Sequence, residues 1–209
     1  MKIPRPGAPP LRPMASWRRV EFAALDFETT GLDTASDAVV SFGVVPVRGG
    51  RVILGEAVHQ LVEPDVPPSP RSQTIHELRP IDLAGSPSMA QARELLSIAL
   101  DRRWLLAWFA GVEVAFLAAI YGTSERPWRR RMIDVRNLAI AADGEPPETR
   151  TRPGYALGTE ARRRGVPVVN PHEALDDALV TAQLFLVLAR TVRRGRDPTL
   201  RALLRAGRP

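Results

Sequence analysis

Residues 22–28 read Phe-Ala-Ala-Leu-Asp-Phe-Glu, an apolar run that closes on two carboxylates before Thr-Thr-Gly. A short apolar stretch bounded by turn residues predicts a buried strand leading into a turn. Side chains alternate along a strand, so Asp26 and Glu28 project from one face while Phe27 points to the other. Two carboxylates at the end of a buried strand are costly unless positive charge lies between them. A magnesium or manganese ion, which prefers oxygen ligands, would supply that charge. Acids that simply emerge into solvent would satisfy the same pattern.

The segments after that strand set the fold class. The valine-rich stretch 38–47 predicts a second strand. Arg48-Gly49-Gly50-Arg51 then makes a tight turn into a third at 52–62, completing an antiparallel hairpin. Residues 63–87 are rich in proline and predict loop, with a turn of helix near 72–78. Ser88 is placed to cap a helix running to about Leu100. A fourth strand at 104–109 leads into a helix at 112–121, and 132–142 reads equally as strand or helix. Residues 155–164, stopped by Gly165, and 173–192 are helical. Three antiparallel strands before alternating helices and strands predict an α/β fold with a mixed sheet.

The chain of 209 residues suits one domain, placed at 19–192. Residues 1–18 read as a flexible Pro- and Arg-rich arm, and 193–209 as a basic C-terminal tail, either a short helix or disordered. There are no cysteines, which excludes disulfides, thiolate nucleophiles and Cys-based metal sites. The N-terminus lacks the apolar core of a signal peptide, so a cytoplasmic location is expected. Residues 104–121 are apolar apart from Glu113. A carboxylate at a bilayer centre costs roughly 3 kcal/mol, and Gly111 divides the run, so it reads as core and no membrane contact is expected. Net charge is +6, and Lys2 is the only lysine, so the positive charge is almost all arginine. That balance suits a polyanionic partner, though it serves solubility as well.

A second acidic constellation, His172-Glu173-Ala174-Leu175-Asp176-Asp177-Ala178, opens the last long helix. Asp177 falls among core-facing positions marked by Ala174, Ala178, Leu184 and Phe185, where a carboxylate needs a partner. A metal shared with Asp26 would serve, and a nearby imidazole can take a proton from an attacking water. Acids in a first helical turn also complement the helix dipole without any further role.

Taken together, these segments resemble the DEDDh 3′→5′ exonucleases, the proofreading epsilon-subunit and ribonuclease T-like enzymes. Leu25-Asp26-Phe27-Glu28-Thr29-Thr30-Gly31-Leu32 is similar to their first motif. His172, Asp177 and Ala178, with Thr181-Ala182 and Leu184-Phe185, are similar to the third. Thr74-Ile75-His76 resembles a Thr-Ile-His stretch that glycine usually follows, where this chain has Glu77. The second motif departs: where the family reads Ala-His-Asn-Ala-x-Phe-Asp, this chain has Ala107-Trp108-Phe109-Ala110-Gly111-Val112-Glu113. Glu113 keeps the charge of the usual aspartate with a reach about 1.5 Å longer. It reads otherwise as a first-turn helix acid. Trp108 and Phe109 are residues that either stack on bases or pack. Asp134 is read as structural.

The resemblance implies a ribonuclease H-like fold with a mixed five-stranded sheet, three antiparallel strands then parallel ones, flanked by helices. It implies two ions, Mg²⁺ or Mn²⁺, held by Asp26, Glu28 and Asp177 with Glu113 supporting the second, and His172 as general base. Thr29, Thr30, Gly31 and Leu32 would touch the terminal nucleotide. The expected substrates are 3′ ends of single-stranded DNA or RNA, cut to 5′-mononucleotides. The alternative is a catalytically impaired module with this fold that binds nucleic acid or a protein partner. A homodimer is left open, and no polymerase partner is indicated.

Overall fold

The strand expected at 22–28 is β1 (Phe22–Thr29), and the rest of the sheet is built on it. The computed structural model describes residues 5–10, 12–151, 154–192 and 197–209. β1 pairs antiparallel with β2 (Val39–Arg48), Phe22 facing Val47 and Glu28 facing Ser41. On its other side it pairs parallel with β5 (Trp104–Ala107), which in turn pairs parallel with β6 (Met132–Asp134). β3 (Arg51–Val52) and β4 (Val58–Leu61) both pair antiparallel with β2. The α/β class and mixed sheet are as expected, but among the described residues the sheet has six strands, not five.

The extra strand arises because the expected strand 52–62 is broken in two. Pro46 of β2 pairs its carbonyl with the Ile53 N–H at 2.9 Å but has no N–H to return. The chain leaves the sheet there through a 3-10 turn at Leu54–Glu56 and rejoins β2 as β4. A second irregularity lies at the other end of β2. The register shifts between Glu28 and Thr29, so Thr29 faces Val39 and Val40 is extra. Bulges of this kind re-aim side chains next to functional sites.

Nine α-helices are present among the described residues. The proline-rich stretch carries α1 (Pro70–His76) and α2 (Pro80–Leu83). The first is capped by the Ser69 hydroxyl, which accepts the Ser72 N–H, and starts with Pro70, whose missing N–H costs nothing there. It stops at Glu77, held at φ +60°. α3 (Met89–Leu100) begins with a capping box between Ser88 and Gln91, and α4 (Gly111–Ile120) comes directly after β5. After α5 (Arg126–Arg131), the ambiguous stretch 132–142 proves to be both readings in turn, β6 and then α6 (Val135–Ala142). α7 (Leu157–Arg163), α8 (Ala174–Thr191) and α9 (Leu200–Ala206) complete the chain.

The period-two alternation of β1 sorts the core into two layers. Phe22 and Ala24 face α6, α8 and α9, while Ala23, Leu25 and Phe27 face α3 and α4. Trp17, expected in a flexible arm, is instead 1% exposed and meets Phe185 of α8 edge-on, ring centroids 5.6 Å apart. Leu200 and Leu203 of α9, expected in a basic tail, are likewise buried in the core. Both ends of the domain therefore reach beyond 19–192. Their apolar anchors are isolated among arginines and prolines, which is why the stretches read as polar. Residues 1–4 and 11 of the arm and 193–196 of the tail lie outside the described residues. Among the described residues no helix is long and apolar enough to cross a membrane.

Candidate active site

Asp26 and Glu28 continue the face of β1 that carries Phe22 and Ala24, so they meet the first turn of α8. The approach is close because Gly43, opposite Asp26 on β2, has no side chain to keep the backbone of Ala174 and Leu175 away. Asp177 lies in that first turn. His172 precedes the helix in a left-handed conformation, φ +67°, and its backbone N–H donates to Asp177 Oδ2 at 3.1 Å. Ligand atoms from Glu28, His172 and Asp177 all lie within 4.8 Å of one another. Glu28 and Asp177 are buried, and the His172 side chain is exposed at the rim.

Glu113 arrives from the first turn of α4 and is 3% exposed, with Oε2 lacking a hydrogen-bond partner. Burial pushes it up to about 8, the neighbouring charges of Asp134 and Glu28 adding to the effect. Burial likewise pushes Glu28 to about 8, reinforced by Asp177 and Glu173. Asp26 is raised well above the usual carboxylate range by burial, then by Glu113, Glu28 and Asp177. Burial also raises Asp177, against the N–H donated by His172. Four carboxylates thus crowd one site, where burial raises all four above the ordinary carboxylate range. An orphaned buried carboxylate oxygen and a donor set of hard oxygens fit a divalent cation.

Two cavities flank the acids. One, of about 440 Å³, is lined by Glu28 and Glu113 together with Thr29, Gly31, Leu32, Ile75 and His76. The other, of about 510 Å³, is lined by Asp26, His172 and Asp177 together with Trp108, Phe109 and Tyr155. Three of the four residues expected to touch substrate therefore face the first cavity. Thr30 does not: it is buried, and its hydroxyl bonds Asp37 Oδ1 and the Ala38 N–H, each at 3.0 Å, closing the turn after β1. Asp134, read from the sequence as structural, is held by backbone donors. Its carboxylate caps α6 by accepting the Asn137 N–H and also accepts the Ala110 N–H at 3.1 Å.

Trp108 and Phe109 separate in role. Trp108 packs, its Nε1–H donating to the Tyr155 carbonyl at 3.1 Å, whereas the Phe109 side chain is exposed. Two contributors are not evident from the sequence. His76, conspicuous there only as part of a motif, lines the first cavity from a buried position, and burial lowers its pKa. Gly43 sits among valines in β2, and a lone glycine inside a strand is the available signal of a close backbone approach.

A family model described as exonuclease, RNase_T, matches residues 23–185. A PolC-type DNA polymerase III from Thermotoga petrophila is 30% identical over 173 residues, covering 82% of this chain and 12% of that protein. The 3′-5′ exonuclease DinG of Staphylococcus saprophyticus is 23% identical over 167 residues, covering 79% of this chain and 18% of its own. The chain thus spans a small part of these relatives' length. In structure it superposes on E. coli exonuclease I in complex with a dT13 oligonucleotide with a TM-score of 0.70. That match is 19% identical and covers 84% of this chain and 42% of the other. The matched span contains the strand, the turn and the helix start that bring the four acids together, and on that match the chain belongs to the exonuclease family.

Proposed function

We propose that this member of the exonuclease family hydrolyses the terminal phosphodiester bond at the 3′ end of a single nucleic-acid strand and releases 5′-mononucleotides. The observation that carries the reading is the convergence of Asp26, Glu28, Glu113 and Asp177, with His172 at the rim. Asp26, Glu28 and Asp177 would hold one Mg²⁺ or Mn²⁺, with Glu113 supporting a second. Such ions neutralise the carboxylates and the phosphate and make bound water more acidic. In this reading His172 would accept the proton of the attacking water as the water oxygen bonds phosphorus and the P–O3′ bond breaks. Its exposure lets that proton pass on to solvent.

The name of the Staphylococcus relative supports the 3′→5′ direction, and the oligonucleotide bound to exonuclease I supports a single DNA strand. The reading carries with it a cytoplasmic setting. It needs no second copy of the chain, because every proposed ligand comes from one. The alternative, a non-catalytic module, has no observation in its favour. The test is digestion of 3′-labelled and 5′-labelled single-stranded DNA and RNA with Mg²⁺, Mn²⁺ or EDTA. The expected result is a 5′-labelled ladder shortening from the 3′ end, abolished by EDTA. An intact substrate under both metals, from protein that melts cooperatively, would sink the proposal.

A further inference from the structure

Phe109 combines two features that an aromatic residue seldom shows together. The residue is 56% exposed and its backbone sits at φ +65°, a region that bulky residues rarely occupy. The neighbours keep it there. Trp108 is tied to the Tyr155 carbonyl and the Ala110 N–H to Asp134, so the residue between them is presented outward on a turn fixed at both ends. One side of the ring is braced by the Arg136 guanidinium, 5.3 Å from its centroid. Arg136 is itself immobilised: it is buried, and it donates to the carbonyls of Arg150 at 2.9 Å and Gly154 at 3.4 Å. A preorganised aromatic with a cation behind it and solvent in front is suited to stacking.

Its position says on what. Phe109, Arg136 and Arg150 line the cavity of the catalytic acids. The same three line a further cavity of about 440 Å³ with Arg129 and Arg208. That side of the site is continuous and, beyond the catalytic acids, carries Arg129, Arg136, Arg150 and Arg208 with one carboxylate, Asp134, whereas the cavity on the other side of the acids carries a single arginine, Arg71, among Leu32, Ile75 and Val112. A 3′-end nuclease needs a place for one terminal nucleotide and a run for the strand behind it. We infer that Phe109 is a stacking platform for a base on the 5′ side of the scissile phosphate, and that the single strand continues over Arg150 towards Arg208. The inference rests on the exonuclease reading and assigns a substrate contact to one of the residues at which the second motif departs from the family.

The test is binding of the full chain, in EDTA, to 5′-fluorescein-dT10 and to dT10 carrying one abasic residue at each position in turn, read by anisotropy. For the unsubstituted protein, one abasic position near the 3′ end should weaken binding about tenfold, the scale of one lost base–aromatic stack. Phe109→Ala should weaken binding of intact dT10 by a similar factor and be indifferent to that same abasic position. Phe109→Trp should keep the dependence. Phe109→Asn, which tolerates φ > 0, should melt no lower than the unsubstituted protein yet bind like Phe109→Ala, so lost affinity is not lost folding. Equal abasic profiles for the unsubstituted protein and Phe109→Ala would overturn the platform. Digestion of 3′-labelled dT10 with Mg²⁺ or Mn²⁺ runs alongside. A position-specific abasic effect without digestion leaves the platform and removes the exonuclease reading. Digestion with a flat abasic profile, or with no binding in EDTA, does the reverse, and neither binding nor digestion removes both.

Discussion

Gly43 and Ala174 touch through their backbones: a β-carbon built on Gly43 would drive into the Ala174 carbonyl oxygen and stand 2.5 Å from the α-carbon of Leu175. Neither partner can yield without moving β2 or the start of α8. Gly43→Ala is therefore expected to destabilise by about 1–3 kcal/mol, the usual range for overpacking. Because Asp26 is directly opposite and Asp177 one turn along, activity should fall further than stability. Melting curves beside initial rates check this; a Gly43→Ala protein as active as its parent would show that the close approach is not needed to assemble the site.

The acid cluster should make stability depend on pH in an unusual direction. Glu28 and Glu113, both raised to about 8 from ordinary values near 4.5, hold their protons in the fold where the unfolded chain has lost them. Between those values the native state binds more protons than the unfolded one, so stability falls as pH rises. The contribution is complete below the unfolded value and gone above the folded one. Metal-free protein should melt progressively lower from about pH 5 to pH 8. Added Mg²⁺ or Mn²⁺ should raise the midpoint more at pH 8 than at pH 6. Glu113→Gln and Asp26→Asn should flatten the metal-free profile, with Asp26→Asn losing nuclease activity. A midpoint that climbs with pH across this window in EDTA would contradict the cluster.

Glu113 stands where the family has aspartate, with a side chain longer by one methylene. Mg²⁺ demands near-ideal octahedral geometry, and Mn²⁺ binds more readily to the same ligand types. The parent should therefore work better with Mn²⁺ than with Mg²⁺, and Glu113→Asp should narrow the difference. Glu113→Gln should be far slower in both. Steady-state rates for the three proteins on one short single strand decide the matter; Glu113→Gln at the parent rate would reduce Glu113 to a helix-start acid.

Glu77 ends α1 at φ +60°, where the family's usual residue is glycine. A side chain in that conformation costs roughly 1–2 kcal/mol, partly offset by glycine's greater freedom when unfolded. Glu77→Gly should stabilise by about 0.5–1 kcal/mol on that balance. Chemical denaturation reads it directly, and a lower midpoint would mean that the Glu77 side chain contributes more than the backbone strain costs.

Local pattern makes much of this molecule legible. Alternation along β1 foretells both the shared face of Asp26 and Glu28 and the partition of the core into two layers. The start of α8, with His172 outside it and Asp177 in the first turn, is equally readable. The remainder depends on contacts between distant segments or on backbone angles. Val52 to Val62 looks like one strand because the missing donor belongs to Pro46, in its neighbour. Trp17 and Leu200 look like residues of polar tails because their partners, among them Phe185, lie far along the chain. Thr30 matches a substrate-binding motif yet turns inward to Asp37. Nothing in the letters Trp-Phe announces that one ring packs while the next is held in a left-handed turn.

The bond from the Ala110 amide to Asp134 joins the loop after β5 to the end of β6, across 24 positions of sequence. That single proton is shielded by a carboxylate that stays in place only while the two strands remain paired. In deuterated buffer it should exchange on the timescale of strand separation, while amides of the neighbouring surface loops exchange at once. Its lifetime is thus a clock for how often the outward presentation of Phe109 comes apart.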